Sequence, residues 1–413
     1  MQRADKYYYL PFLILLITFI SVNQWSKYPI GNTFACWLIY ISAVISMIKI
    51  ASKYCDKSCV VNYAVVLIYF SWLAFEFIKG CFVADGYWEW KQLVSDTICL
   101  LTPLALFAFY EPRVLQKTLK LWFVWALLAY VVFFYWVVGI TQFYMGPVYL
   151  IGCFIPLLPN KWKIIVGFLI LLLLSENYVE NRSQFIKAFV AIVVSLACIF
   201  HRYIYGFVLK TIHWTLYVIP VVLLVSGITG TYNIFEETSA KYEGRYVVKS
   251  MDEDQAGDVD MSADTRTVIY TEVISSAIFN KYVWLGRTPA RGNDSAFYGE
   301  ANAKLNGKYE RPGNELCFPN VFTWLGIVGM ILYILIYLKA SYMAVYHSRN
   351  IYIRLLGLCV AFHFLYGWVE DVTDFNILNL SLWMMIAMCY SDRFRLMTDV
   401  DFKSWVKGVF VNY

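Results

Sequence analysis

Long apolar runs alternate with short charged connectors along almost the whole chain. The runs are about 17–23 residues long, the length a helix needs to cross the hydrocarbon core of a bilayer. In lipid the backbone must satisfy its own hydrogen bonds, so runs of this length predict helices rather than open strands. They fall at 7–23, 31–48, 60–78, 93–109, 119–139, 143–158, 162–176, 184–200, 208–229, 316–338, 352–368 and 376–390. Twelve crossings place both ends of the chain on one side. The expected fold class is an all-α polytopic membrane protein: nine spans in 1–230, a long extracytoplasmic loop in 231–315, three spans in 316–390 and a cytoplasmic tail in 391–413.

Charge gives the orientation. The short connectors on one side of this layout carry fifteen lysines and arginines, and those on the other side carry five: Lys27, Lys79, Lys91, Arg182 and Lys187. The positive-inside rule therefore predicts cytoplasmic termini. Composition agrees, with 60% hydrophobic and 15% charged residues. The net charge of +5 follows the connectors and makes no basic nucleic-acid face. Arg3 and Lys6 precede the first run, but no small-residue cleavage site follows it, so it reads as a retained helix. The ten cysteines are scattered, with Cys36, Cys99, Cys153, Cys198, Cys359 and Cys389 in or at the ends of apolar runs. Cys55 and Cys59 lack histidine partners, so neither a disulfide framework nor a metal site is expected.

The segment 231–315 is too long for a connector, and loops of that size are commonly functional. Within it, Val268, Ile269, Val273, Ile274, Ala277 and Ile278 recur at helical spacing, with Ser262 or Asp264 placed to cap the start. This predicts an amphipathic helix on or near the membrane, followed by the turn-rich stretches "GRTPARGND" and "NGKYERPGNE". The acidic tract "MDEDQAGDVDMSAD" is not a calcium loop, because Ala256 and Ala263 stand where an EF-hand needs oxygen ligands.

Two arginines are placed where helix stability gives no reason for them. Arg182 opens the eighth span and Arg266 the loop helix, each beside the positive end of a helix dipole. An arginine together with free N–H groups at a helix start makes an anion site suited to phosphate, and two on one side suggest a diphosphate. The alternatives are an interfacial Arg182 paired with lipid headgroups, Glu176 or Glu180, and an Arg266 on a solvated face. Arg245, Arg287, Arg291 and Arg311 are further loop candidates. Ten basic and fourteen acidic residues in 231–315 rule out a general polyanion surface.

None of the four histidines joins a Cys/His cluster in the outer region, and a general base there is a carboxylate or His363. Glu315 is the best placed by sequence, although an acidic residue beside a helix start also simply favours the dipole. Glu272, Glu370, Asp371 and Asp374 are alternatives. Trp and Tyr fit interfacial belts, and those on the outer loops are also suited to stacking on sugars.

This order of features resembles the O-antigen ligase and polymerase superfamily. Asn181, Arg182 and Ser183 are similar to the segment that opens a span in that family. Arg266, Tyr270 and "KYVWLG" ending at Gly286 are similar to its loop motif. "GNELCFPNVFTWLGIVG" keeps Gly326, Ile327 and Gly329, with Glu315 about where the family has histidine. The resemblance implies a GT-C-like glycosyltransferase of the bacterial inner membrane, needing neither metal nor nucleotide. It would move glycan from undecaprenyl diphosphate to a sugar hydroxyl on a glycan acceptor, among membrane lipids and alongside a flippase and a chain-length regulator. Arg182 and Arg266 would then stabilise the leaving group and Glu315 would act as base. Arg287, Arg291, Arg311, Tyr270 and Asn314 are the candidates for binding substrate. The absent histidine favours a repeat-unit polymerase over a ligase. A transporter or lipid flippase is the alternative from another class, disfavoured because the charged residues sit near span ends rather than mid-span.

Overall fold

The computed structural model describes residues 9–23, 26–54, 63–138, 141–175, 182–237, 247–249, 258–260, 265–296 and 299–411. Helix α1 (Tyr9–Ile20) is followed by α2 (Thr33–Tyr54), α3 (Ala64–Val83) and α4 (Tyr87–Leu100), and α4 is extended by a 3₁₀ turn and a helical turn to Ala108. Helix α5 (Pro112–Leu121) runs on through wider π turns to Val137. Then come α6 (Gly146–Gly152), α7 (Asn160–Ser175), α8 (Arg182–Ile199) and α9 (Gly206–Ile228). The long loop holds α10 (Thr265–Phe279) and α11 (Glu300–Asn306); α12 (Cys317–His347), α13 (Ile351–Tyr366), α14 (Ile377–Tyr390) and α15 (Asp399–Gly408) complete the described chain.

The protein is an all-α membrane protein. Seven of these helices, counting the extensions of α4 and α5, are long and apolar enough to cross a membrane, and α1, α13 and α14 are shorter apolar helices. The perimeter carries exposed apolar side chains such as Val132, Trp136 and Ile164, a belt that suits lipid and not water. The centre is α14, whose every residue is buried. It packs against α12, α13 and α6.

The predicted span at 143–158 is not one continuous helix. Only Gly146–Gly152 is α-helical, with 3₁₀ turns at Thr141–Phe143 and Ile155–Leu157. Pro147 and Pro156 cannot donate to a helix, and a side chain on Gly146 would come within 2.4 Å of the Ile377 carbonyl. The segment is buried in protein, where broken backbone is tolerated. The described part of the predicted tail, 391–411, is also folded. Phe402 and Val406 of α15 are buried, Trp405 Nε1 donates to the Pro112 carbonyl (2.9 Å), and Asn350 Nδ2 donates to the carbonyls of Phe394 (3.0 Å) and Met397 (3.1 Å).

The tenth predicted span, 316–338, is longer than expected and broken near its start. Gly326, with φ 66° and ψ −174°, interrupts α12. A broken helix in a membrane must satisfy the backbone groups it frees, and here the loop does so. The carbonyl of Thr323 accepts from Arg287 N (2.7 Å), that of Trp324 from Thr288 N (3.1 Å), and Ile327 N donates to the Val283 carbonyl (2.9 Å). The Leu325 carbonyl accepts from Trp72 Nε1 of α3 at 2.9 Å. Gly286 (φ 78°) lies directly against the break: a side chain there would come within 2.4 Å of Gly326 N, and one on Gly326 within 2.3 Å of the Trp284 carbonyl. Lys79 completes the lock by donating to the Gly286 carbonyl (2.7 Å) and to the buried Glu76 (3.0 Å).

Alanine at Gly286 or Gly326 is expected to overpack this contact and impose a strained backbone, lowering stability by about 2–3 kcal/mol. Thermal unfolding in detergent should show a midpoint several degrees lower. Gly167→Ala, with open space around it, should not lower it.

Candidate functional site

The loop helix α10 has two faces. Ile269 and Val273 pack on Leu316, just before α12. Arg266, Tyr270 and Ile274 face a cavity of about 590 Å³, closed on the other sides by α9, the end of α13 and Arg182 at the start of α8. Among the described residues lining it, Arg182 and Arg266 are the charged ones, and most of the rest are apolar, including Ile219, Leu223, Leu224 and Ile228. Pro220, inside α9, lines it as well. Two arginines 84 positions apart in sequence thus open into one largely greasy space.

The segment after α13 fixes one of these arginines. Arg266 Nε donates to the Val369 carbonyl (3.2 Å) and Tyr270 Oη to the Trp368 carbonyl (2.7 Å). Tyr270 also stacks on Phe235, with ring centroids 6.2 Å apart. Burial holds the Tyr270 phenol above its ordinary range, so it stays a donor.

Behind this segment lies a polar cluster that the sequence did not single out. Glu370 Oε1 accepts from Ser183 Oγ (2.5 Å) and Lys187 Nζ (3.2 Å), and Lys187 also reaches Ser183 Oγ (2.6 Å) and Gln142 Oε1 (3.3 Å). Lys187 is buried, its side chain 4% exposed, while Glu370 is 22% exposed. A buried ammonium persists only when paired and hydrogen-bonded, which accounts for the three partners. Two signals pointed to the cluster: Ser183 and Lys187 are one helical turn apart directly after Arg182, and Glu370 was one of several loop carboxylates.

The other predicted residues lie elsewhere. Glu315 is 64% exposed and its carboxylate pairs with Arg311 at 3.4 Å; it does not line the cavity. Arg287 is held by the Gly292 carbonyl (2.9 Å), Asp294 (2.7 Å) and Glu310 (3.1 Å). Arg291 forms a bidentate pair with Glu310. Asn314 donates to Asn293 Oδ1 (3.0 Å) and is gripped at both backbone groups by the Asn320 amide. These four residues organise the loop around the short antiparallel pair Asn293–Asp294 and Glu310–Arg311. Glu272 accepts from Ser295 Oγ (2.7 Å) and Ala296 N (3.0 Å), again inside the loop. Asp371 accepts from Thr373 N and Oγ1. His363 is buried within α13. Glu176, Glu180, Asn181, Arg245, Ser262 and Asp264 lie outside the described residues, as does the acidic tract apart from Asp258–Asp260, which pairs with Val247–Lys249. Among the described residues no group of three His, Cys, Asp or Glu is placed to hold a metal.

No family model, curated protein or solved structure matches the chain. The geometry therefore has to carry the chemistry. Two guanidinium-bearing residues lining a largely apolar cavity suit an anionic group attached to a long apolar tail. Glu370 follows the lining residue Val369 in the chain, and a carboxylate held in place suits proton removal.

Two stability measurements test this description. Glu370→Ala strands Lys187 as an unpaired buried charge and is expected to cost about 3–5 kcal/mol, most of it recovered when Lys187→Met is added; denaturation of the single and double variants checks this. Burial raises the Asp294 carboxyl, but hydrogen bonds from Arg287 and Asn280 more than offset it and hold the group below its ordinary value of 3.8. Its contribution to stability is thus present above that value and lost as pH falls through the lowered one. The midpoint of Asp294→Asn should fall less between pH 6 and pH 3 than that of wild type.

Proposed function

We propose that the protein is a glycosyltransferase of the bacterial inner membrane that polymerises glycan repeat units carried on undecaprenyl diphosphate. The observation that supports this reading is the shared cavity of Arg182 and Arg266. The apolar walls from α9 and α10 would take the isoprenoid, and the two arginines the diphosphate. In this reading the chain crosses the membrane twelve times, counting the broken α6 segment, with both termini cytoplasmic and the architecture GT-C-like; the cavity opens on the outer face.

The reaction forms a bond between an acceptor sugar hydroxyl and the donor's anomeric carbon, and breaks the bond from that carbon to the diphosphate oxygen. Negative charge grows on the leaving diphosphate, where fixed guanidinium groups stabilise the transition state more than the ground state. The acceptor hydroxyl loses its proton to a carboxylate. Glu370 is better placed for this than Glu315, because it follows the Val369 carbonyl that holds Arg266, whereas Glu315 pairs with Arg311 at the loop surface. Lys187 and Ser183 keep it oriented. No step requires a metal or nucleotide.

The test is a gel of surface glycan beside an extract of lipid-linked glycan, from a host lacking the gene and complemented with wild type or with Arg182→Ala, Arg266→Ala or Glu370→Gln. Polymerase activity predicts single-unit glycan at the surface, with the ladder restored by wild type and reduced about 100-fold or more by each variant. Long polymer stranded on the carrier would instead mean a ligase. An unchanged pattern in both fractions would overturn glycosyl transfer.

A further inference from the structure

A second, smaller pocket of about 250 Å³ lies on the far side of the 367–376 segment, between α1, α2 and α4. Its character is opposite to that of the first. Among the described residues lining it there is no lysine, arginine or histidine to pair with a phosphate, and its walls combine aromatic rings with small polar groups: Trp37, Tyr40, Phe143 and Phe375 with Ser95, Asp374 and Asn376. An alkyl tail would cover the Asp374 carboxylate without pairing it, which is costly. A neutral ring bearing hydroxyls satisfies both kinds of wall. Its C–H faces meet the negative faces of the aromatic rings, and a carboxylate such as Asp374 accepts from two neighbouring hydroxyls. The volume lies just below the roughly 300–1,000 Å³ of pockets that hold drug-sized ligands, so it fits a single sugar ring.

The pocket is built rather than incidental. Asn23 holds both backbone groups of Ile30, at 2.8 and 2.9 Å. Ser21 Oγ accepts from Ile377 N (2.9 Å), tying α1 to the start of α14. Trp37 Nε1 donates to Ser95 Oγ (3.2 Å), and the Tyr40 ring packs against Phe375 at 5.1 Å. Asn376 caps α14 by accepting from Asn379 N (2.9 Å). These bonds set the walls, and Asp374, an exposed residue, lines the pocket beside them.

The two cavities are neighbours. The Thr141–Phe143 turn puts Gln142 on the Lys187 cluster and Phe143 in the small pocket. The 367–376 segment likewise carries Val369 and Glu370 on one side and Asp374 on the other. Four residues of chain span at most about 14 Å, a separation within the length of a short oligosaccharide.

We infer that this pocket is a sugar subsite that holds the acceptor glycan, one or two units behind its reacting hydroxyl. The inference rests on the glycosyl-transfer reading and adds where the acceptor sits. It also predicts that sugar binding here is independent of the diphosphate site.

The experiment uses the full-length protein in nanodiscs and, as probe, the free repeat-unit oligosaccharide released by mild acid from the host's surface polysaccharide. Binding is followed by saturation-transfer NMR. The Arg182→Ala/Arg266→Ala variant should bind as wild type does, while Trp37→Ala and Asp374→Asn should bind about tenfold or more weakly. Should Trp37→Ala fail to fold, Asp374→Asn carries the test. Alkylation of Cys36, which lines the pocket, gives a second readout in the wild type: oligosaccharide should slow its reaction with N-ethylmaleimide. Equal binding by the pocket variants, binding lost only with the arginines, or no binding by wild type would each overturn the subsite. The glycan ladder of the arginine variants separately decides whether glycosyl transfer itself stands.

Discussion

The contact between Gly286 and Gly326 holds the outer region together. A helix broken inside a membrane protein exposes carbonyl and N–H groups that cost several kcal/mol each if left without partners. Here the loop supplies partners from 283, 287 and 288, and α3 supplies Trp72 and Lys79. Two chain segments can approach this closely only where neither has a Cβ, and both glycines adopt positive φ. The break in α12 and the anchoring of the loop are therefore one feature.

From that anchor the positions of the site residues follow. The loop residues after Gly286 are drawn into a compact unit by Arg287, Arg291, Asp294 and Glu310, while α10 before it is pressed on Leu316. Lys308, paired with Glu89, ties the same unit to the start of α4. Arg266 and Tyr270 are then held against the carbonyls of Val369 and Trp368. Glu370 spans two functions, since its carbonyl accepts from Cys317 N (3.2 Å) at the start of α12 while its carboxylate neutralises Lys187. The 367–376 segment thus separates an apolar, arginine-headed cavity from a polar, aromatic-walled one. Under the proposed glycosyl transfer, the first would take the charged lipid-linked donor and the second the neutral acceptor.

Several arginines that looked equivalent along the chain are not equivalent in space. Arg287 and Arg291 are consumed by carboxylates from their own loop, and the guanidinium of Arg311 reaches Glu315. Arg182 and Arg266 instead border the cavity. Glu315 sits beside a helix start, as its spacing implied, yet pairs with Arg311 and does not line the cavity. Glu370, one of four alternative carboxylates, stands beside it.

The sequence by itself determined the membrane class, the approximate ends of most helices, the amphipathic loop helix and the interest of Arg182 and Arg266. Each of these depends on local properties: run length, helical period and a charge beside a helix start. It did not determine that α6 would be broken, that α12 would be kinked at Gly326 or that 391–411 would fold back on the bundle, because those depend on what packs alongside. Only the tertiary structure decided which arginines are paired internally, which carboxylate stands by the cavity and where a second pocket forms. Ion pairs and cavities are settled by separations of about 3 Å between groups far apart in the chain, and no spacing along the sequence encodes such distances.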